Sequence, residues 1–106
     1  FSSAEVMHGP VTIARSDFPV LVLAQNDETL PGIRKLAAGL SQRGVKLLTA
    51  GLSEPGAVTL PSPATHPAIE PMLRIQSFYR MVNTLSVQLG LDPDQPPFLN
   101  KVTETV

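Results

Sequence analysis

The sequence predicts an α/β fold built on parallel strands, and three observations carry that expectation. Pro19 to Gln25, PVLVLAQ, is a continuous apolar run rich in branched residues, the pattern of a strand buried on both faces of a parallel sheet. A helical stripe comes next at Leu30, Ile33, Leu36, Ala37 and Leu40, and stops at Gly44 after Arg43. A second run, VKLLTA at Val45 to Ala50, completes a strand, helix, strand unit whose right-handed crossover sets the two strands parallel and adjacent.

Composition narrows the class. A chain of 106 residues is one domain or a piece of one. With 42% hydrophobic and 16% charged residues it is a folding sequence rather than a disordered one. A net charge of -1 offers no basic surface to a nucleic acid. The absence of cysteine excludes disulfides and thiolate metal sites and permits a reducing compartment. No apolar run approaches the roughly 20 residues of a membrane span; the expected setting is cytoplasmic, without membrane contact. Eleven prolines, about twice the usual share of around 5%, imply many fixed turns. The chain opens on Phe1 rather than methionine and is read as starting inside a longer protein.

Along the chain, Ser2 and Glu5 have capping-box spacing and permit a helical turn. His8, Gly9 and Pro10 form a compact HGP, with Pro10 suited to open a short helix over Pro10 to Arg15. A histidine just before a helix start would feel the positive end of the dipole, which favours a neutral imidazole fit for proton transfer; equally, it could simply fill a turn. Asn26 and Asp27 are good caps for the helix after the first strand, although Pro31 leaves its first residue open. Ala57 to Leu60 reads as a short third strand. The link before it, Gly51 to Gly56, is shorter than a parallel crossover normally needs, so spacing alone favours a hairpin. Leu60 to Pro71 is a proline-punctuated loop with His66 as a turn residue. From Ile69 to Leu89 a broad apolar face marks the longest helix, stopped by Gly90, with Met72, Met81 and the aromatics expected in the core. Leu91 to Val106 is a tail that Pro93, Pro96 and Pro97 keep out of a helix.

The chemistry legible in the residues is sparse. Neither GxGxxG nor GxxxxGK occurs, and no glycine- or serine-rich loop joins a strand to a helix in the manner of a phosphate site. No carboxylate pairs convincingly with a nucleophile, and no metal site or cofactor is expected. Two candidates remain: His8, set by a proline near the start, and Lys101, an amine in a polar tail with Asn100, Thr103 and Glu104. A frayed terminus with a solvated lysine is the plain alternative for the second.

Three blocks, AEVMHGPVTIA at Ala4 to Ala14, FPVLVLAQND at Phe18 to Asp27 and GLDPDQPPFLNKVTETV at Gly90 to Val106, together resemble the sugar isomerase (SIS) phosphosugar-binding family. The likeness is to the isomerase module of glucosamine-6-phosphate synthase and to the type II glucosamine-6-phosphate deaminases, with the LNKVTET tail closer to the deaminases. It spans essentially the whole chain. The resemblance implies a Rossmann-like three-layer sandwich on a parallel sheet, with a short last crossover. Residues 1–90 would be the C-terminal half of the second SIS subdomain, and residues 91–106 a tail that closes over the ligand.

The activity so implied is aldose-ketose isomerisation or deamination linking glucosamine-6-phosphate and fructose-6-phosphate. The family's ring-opening histidine falls on His8, supplied across a homodimer interface, and its carbonyl-reactive lysine falls on Lys101. Asn100 and Thr103 are candidate substrate contacts. Closure of the tail would desolvate the amine, exposing its lone pair for a Schiff base. The family's proton-shuttling glutamate and phosphate loop would lie upstream, and Glu5 is read as a local cap. The piece alone is therefore not expected to be active, nor to fold alone with an apolar sheet edge open. A glutamine-dependent synthase, a non-catalytic sugar-phosphate sensor, and action on an epimer such as galactosamine-6-phosphate are the competing readings.

Overall fold

The branched runs do form strands. In the computed structural model, which describes residues 2–97, β1 (Val20–Leu23), β2 (Leu47–Ala50) and β3 (Val58–Leu60) make one sheet in the order β1-β2-β3. Both pairings are parallel, with Val20 opposite Leu47, Val22 opposite Thr49 and Leu48 opposite Val58. Ahead of the sheet lie α1 (Ser3–Met7) and a single 3-10 turn at Pro10–Thr12; α2 (Leu30–Gln42) joins β1 to β2, and α3 (Glu70–Gln88) comes after β3. The chain divides into two compact units between Arg74 and Ile75.

In the first unit the side-chain period of two decides what is buried. Val22 and Leu47 point to the face that α2 covers, where they meet Ala37 and Leu40, and Ala24, Val45 and Leu52 complete that core. Leu40, almost wholly buried, fixes α2 on the sheet, and truncating such a leucine costs about 2–5 kcal/mol. The opposite sheet face carries Leu21, Leu23 and Leu48, which are half-buried, and Val58, which is 62% exposed.

Local chemistry sets the element ends. Ser2 and Glu5 close a full capping box on α1, the Ser2 N–H donating to Oε2 of Glu5 at 2.7 Å and the Glu5 N–H to Oγ of Ser2 at 3.2 Å. The Ser2 backbone bond, helped by its hydroxyl, holds the Glu5 carboxyl below the usual carboxylate range. Asp27 caps the turn before α2 rather than α2 itself, accepting from the Thr29 N–H at 2.9 Å and the Thr29 hydroxyl at 2.6 Å. The helix therefore starts at Leu30, and Pro31 falls in its first turn, where the missing N–H has no intrahelical partner to lose. The helix expected over Pro10 to Arg15 shrinks to the 3-10 turn, because Gly9 precedes it with no side-chain cap.

The β2 to β3 link runs parallel over only the seven residues Gly51 to Ala57. A hairpin is what that length suggests, but the strands are short. Val58 lies opposite Leu48, so the chain need only step back two residues from Ala50 and one strand across, roughly 7 Å along and 5 Å sideways. Leu52 anchors the link in the core, and the Ser41 hydroxyl donates to the Pro55 carbonyl at 3.0 Å. The parallel arrangement thus needs no crossover helix.

In the second unit α3 runs on to Gln88 and is closed by the Gly90 N–H to Val87 and the Leu91 N–H to Ser86. Phe78 and Tyr79 meet edge to face with ring centroids 5.9 Å apart. The tail then turns at Asp92, whose carboxylate accepts from the Asp94 N–H at 2.9 Å. The expectation that this helix forms core is not met. Met72 and Met81 are exposed, Tyr79 is 66% exposed, and Glu70 is the one residue of α3 that is buried. For Tyr79 and Met81 the reason is that no other described helix or strand belongs to the unit that begins at Ile75.

Gly51 has φ +83° and a Cβ there would stand 1.9 Å from the Ala24 carbonyl oxygen, whereas at Gly56, φ +81°, it would meet only Oγ of Ser41 at 3.6 Å. Gly56→Ala should thus cost about 1 kcal/mol and Gly51→Ala more than about 3 kcal/mol, read as the separation of two thermal melts. Thr49 is fully buried at the centre of β2 and its hydroxyl has no partner among the described residues. Thr49→Val should therefore raise stability, by about 1 kcal/mol in denaturant titration.

Candidate functional site

Parallel strands end on the same side, so the segments after β1, β2 and β3 come together at one edge of the sheet, the usual place for a ligand in an open α/β fold. One ion pair, Glu70 with Arg74, ties all three. Glu70, in the first turn of α3, is 3% exposed. Its Oε2 accepts from the Asn26 N–H, beyond β1, at 3.3 Å, and its Oε1 from the Thr65 N–H, beyond β3, at 3.3 Å. Arg74, one turn along α3, donates from Nη2 to Glu70 at 2.9 Å and from Nε to the Ser62 hydroxyl at 3.2 Å. The same guanidinium lies over Gly51, beyond β2, close enough that a Cβ there would stand 2.6 Å from Nη2.

Those contacts set the electrostatics. The Thr65 N–H, above all, holds the Glu70 carboxyl below the usual carboxylate range; burial opposes this, and the Asn26 N–H and the Arg74 charge add to it. The proline-rich segment between β3 and α3 is thereby pinned. His66 takes the turn role expected of it, its Nδ1 accepting from the Ala68 N–H at 3.2 Å. Gln25 and Asp27 hydrogen-bond beside this edge.

His8 lies elsewhere in the chain order and is exposed. It is the C-cap of α1, its N–H donating to the Glu5 carbonyl at 3.1 Å, and its imidazole has no hydrogen-bond partner among the described residues. The helix dipole expected to act on it does not form. The next element after His8 is a three-residue 3-10 turn, too short to sum a useful dipole, while the helix that His8 does touch ends there. Lys101, Asn100 and Thr103 lie outside the described residues. Among the described residues no three His, Cys, Asp or Glu side chains gather as a metal site, and no helix is long and apolar enough to cross a membrane.

Sequence reasoning passed over the Glu70 and Arg74 pair. Its signal was present as an acid and a base four residues apart on one helix, but that spacing ordinarily marks a solvated surface pair. Burial by loops that converge only in the folded chain is what gives it weight. Compared with known proteins, the chain matches no family model, no curated protein and no solved structure.

A carboxyl whose folded-state pKa is lowered supports the fold fully above the ordinary value of about 4.3, and that support disappears as pH falls through the lower folded value. Thermal melts of the wild type and Glu70→Gln should differ at pH 7 and converge as acidity increases below pH about 4. A gap that persists unchanged into acid would mean the charge is not what Glu70 contributes.

Proposed function

We propose that the chain is the C-terminal part of a phosphosugar aldose-ketose isomerase or deaminase of the SIS type, acting on glucosamine-6-phosphate and fructose-6-phosphate as part of a homodimer. The observation that carries this reading is the parallel β2 to β3 pairing across a seven-residue link. Spacing alone favours a hairpin there, and the resemblance in the HGP, strand and tail blocks implies the parallel course. The exposed His8 is compatible with delivery to a neighbouring subunit.

In this reading His8 moves the ring-opening proton of the hexose phosphate, since an imidazole has one ring nitrogen that can accept a proton and one that can donate. The amine of Lys101 adds to the open-chain carbonyl with loss of one water, the resulting iminium is the electron sink while a proton passes between C1 and C2, and its hydrolysis returns the water and frees the amine. Deamination consumes one water and releases one ammonia for each glucosamine-6-phosphate converted to fructose-6-phosphate. The carboxylate that carries the proton, and the loop that holds the phosphate, belong to the upstream part of the fold. The partly open sheet face, with Leu21 and Leu23 half-buried and Val58 exposed, is suited to the second helix layer of a three-layer sandwich.

The intact protein should release ammonia from glucosamine-6-phosphate without glutamine, and Lys101→Ala and His8→Ala should each lower turnover about a hundredfold or more. Glucosamine-6-phosphate formation only when glutamine is supplied would make the parent protein a synthase instead. Sugar-phosphate binding with neither activity would make it a sensor and remove the catalytic roles of both residues.

A further inference from the structure

A shallow cleft of about 540 Å³ opens at the carboxyl ends of β2 and β3, lined by Arg34 of α2, Gly51 to Ser53 and Thr59 to Ser62. Its polar side chains are all suited to donate. Arg34 is exposed and forms no ion pair among the described residues. Ser53 and Thr59 are exposed with no side-chain hydrogen bond among those residues. The Ser62 oxygen accepts from Nε of Arg74, which leaves its own O–H free to donate. Glu70 pairs with Arg74, so Arg34 is the unpaired charge among the residues that line the cleft; no carboxylate lines it, the nearest in sequence being Glu54 beside Ser53.

We propose that this cleft is an anion site that takes a phosphate monoester or inorganic phosphate, with Arg34 supplying the charge and Ser53, Thr59 and Ser62 the neutral donors. A guanidinium presents a planar fork that matches two phosphate oxygens, while hydroxyls can rotate to meet the remaining one. The site is not of the strand-to-helix glycine-loop kind, for which the sequence has no candidate. It is built instead from the second turn of α2 and the short parallel link, two segments that only the sheet brings together. Leu60 and Pro61 give its floor an apolar strip on which the carbon skeleton of an ester could lie. The proposal goes beyond the catalytic reading above and does not depend on it, because neither His8 nor Lys101 contributes.

Hydrogen exchange of the segment 51–62 in the intact protein tests it, with inorganic phosphate, glucose 6-phosphate, glucose and sodium chloride at matched ionic strength as the probes. Saturable protection by the two phosphates, with none from glucose or chloride, is the expected result. Arg34→Gln should weaken the apparent affinity about tenfold and Ser53→Ala a few-fold, since both residues are exposed and outside the core. Tighter protection by the sugar ester identifies a phosphosugar as the ligand, and tighter protection by inorganic phosphate identifies free phosphate. Lys101→Ala should leave the protection intact, so a failure of the catalytic reading and a failure of this one are distinguishable. The site is overturned if no phosphate protects the segment, if chloride protects it equally, or if Arg34→Gln binds as the wild type does.

Discussion

The Glu70 carboxylate carries its charge in a position almost closed to water, and the arrangement of the sheet's carboxyl edge depends on how that charge is met. Moving a carboxylate out of water is unfavourable unless donors replace the lost hydration. Here three do: the Asn26 and Thr65 N–H groups and the Arg74 guanidinium. Each donor belongs to a different part of the chain, so satisfying one side chain fixes the exit of β1, the loop after β3 and the first turn of α3 at once. The guanidinium in turn claims the space over Gly51, which leaves no room for a side chain after β2. Charge and steric requirement are two aspects of one contact.

The link between β2 and β3 shows how strand length governs topology. A parallel connection is long when it must retrace a long strand, and a helix is the economical way to span that distance. β3 has three residues, so the return is short and a loop suffices. Leu52 takes over the helix's packing role by entering the core, and Ser41 ties the loop to α2. The cost is an edge with little cover, visible in the exposure of Val58. Arg34, Ser53 and Ser62 line one cleft at the carboxyl ends of β2 and β3.

The two units differ in how they are held. The first has a core in which α2 is pressed on the sheet by Leu40 and Ala37. The second is a helix with an apolar face and a proline-fixed exit, whose order rests on its own hydrogen bonds and on the closing turn at Gly90. A helix of this composition gains most of its stability from packing rather than propensity, and Tyr79, Leu85 and Leu89 on it are exposed.

By itself the sequence determined the strands, the helices and most of their ends, because those obey local rules. Branched apolar runs pleat, the Leu30 to Leu40 stripe winds into one buried face, Ser2 and Glu5 cap, and glycine stops both long helices. It also determined that HGP and the LNKVTET tail are the segments richest in candidate chemistry. Only the tertiary structure decided that Ala50 and Leu60 run side by side in the same direction, since that choice rests on a distance between strands and not on any local preference. Only it decided that Glu70 and Arg74 are an internal clamp rather than a surface pair, because the Asn26 and Thr65 donors lie far from the pair or across a turn in sequence and meet it solely through the parallel ends of the sheet. The same holds for the position of His8, whose surroundings depended on where α1 stopped and how short the turn after it proved to be.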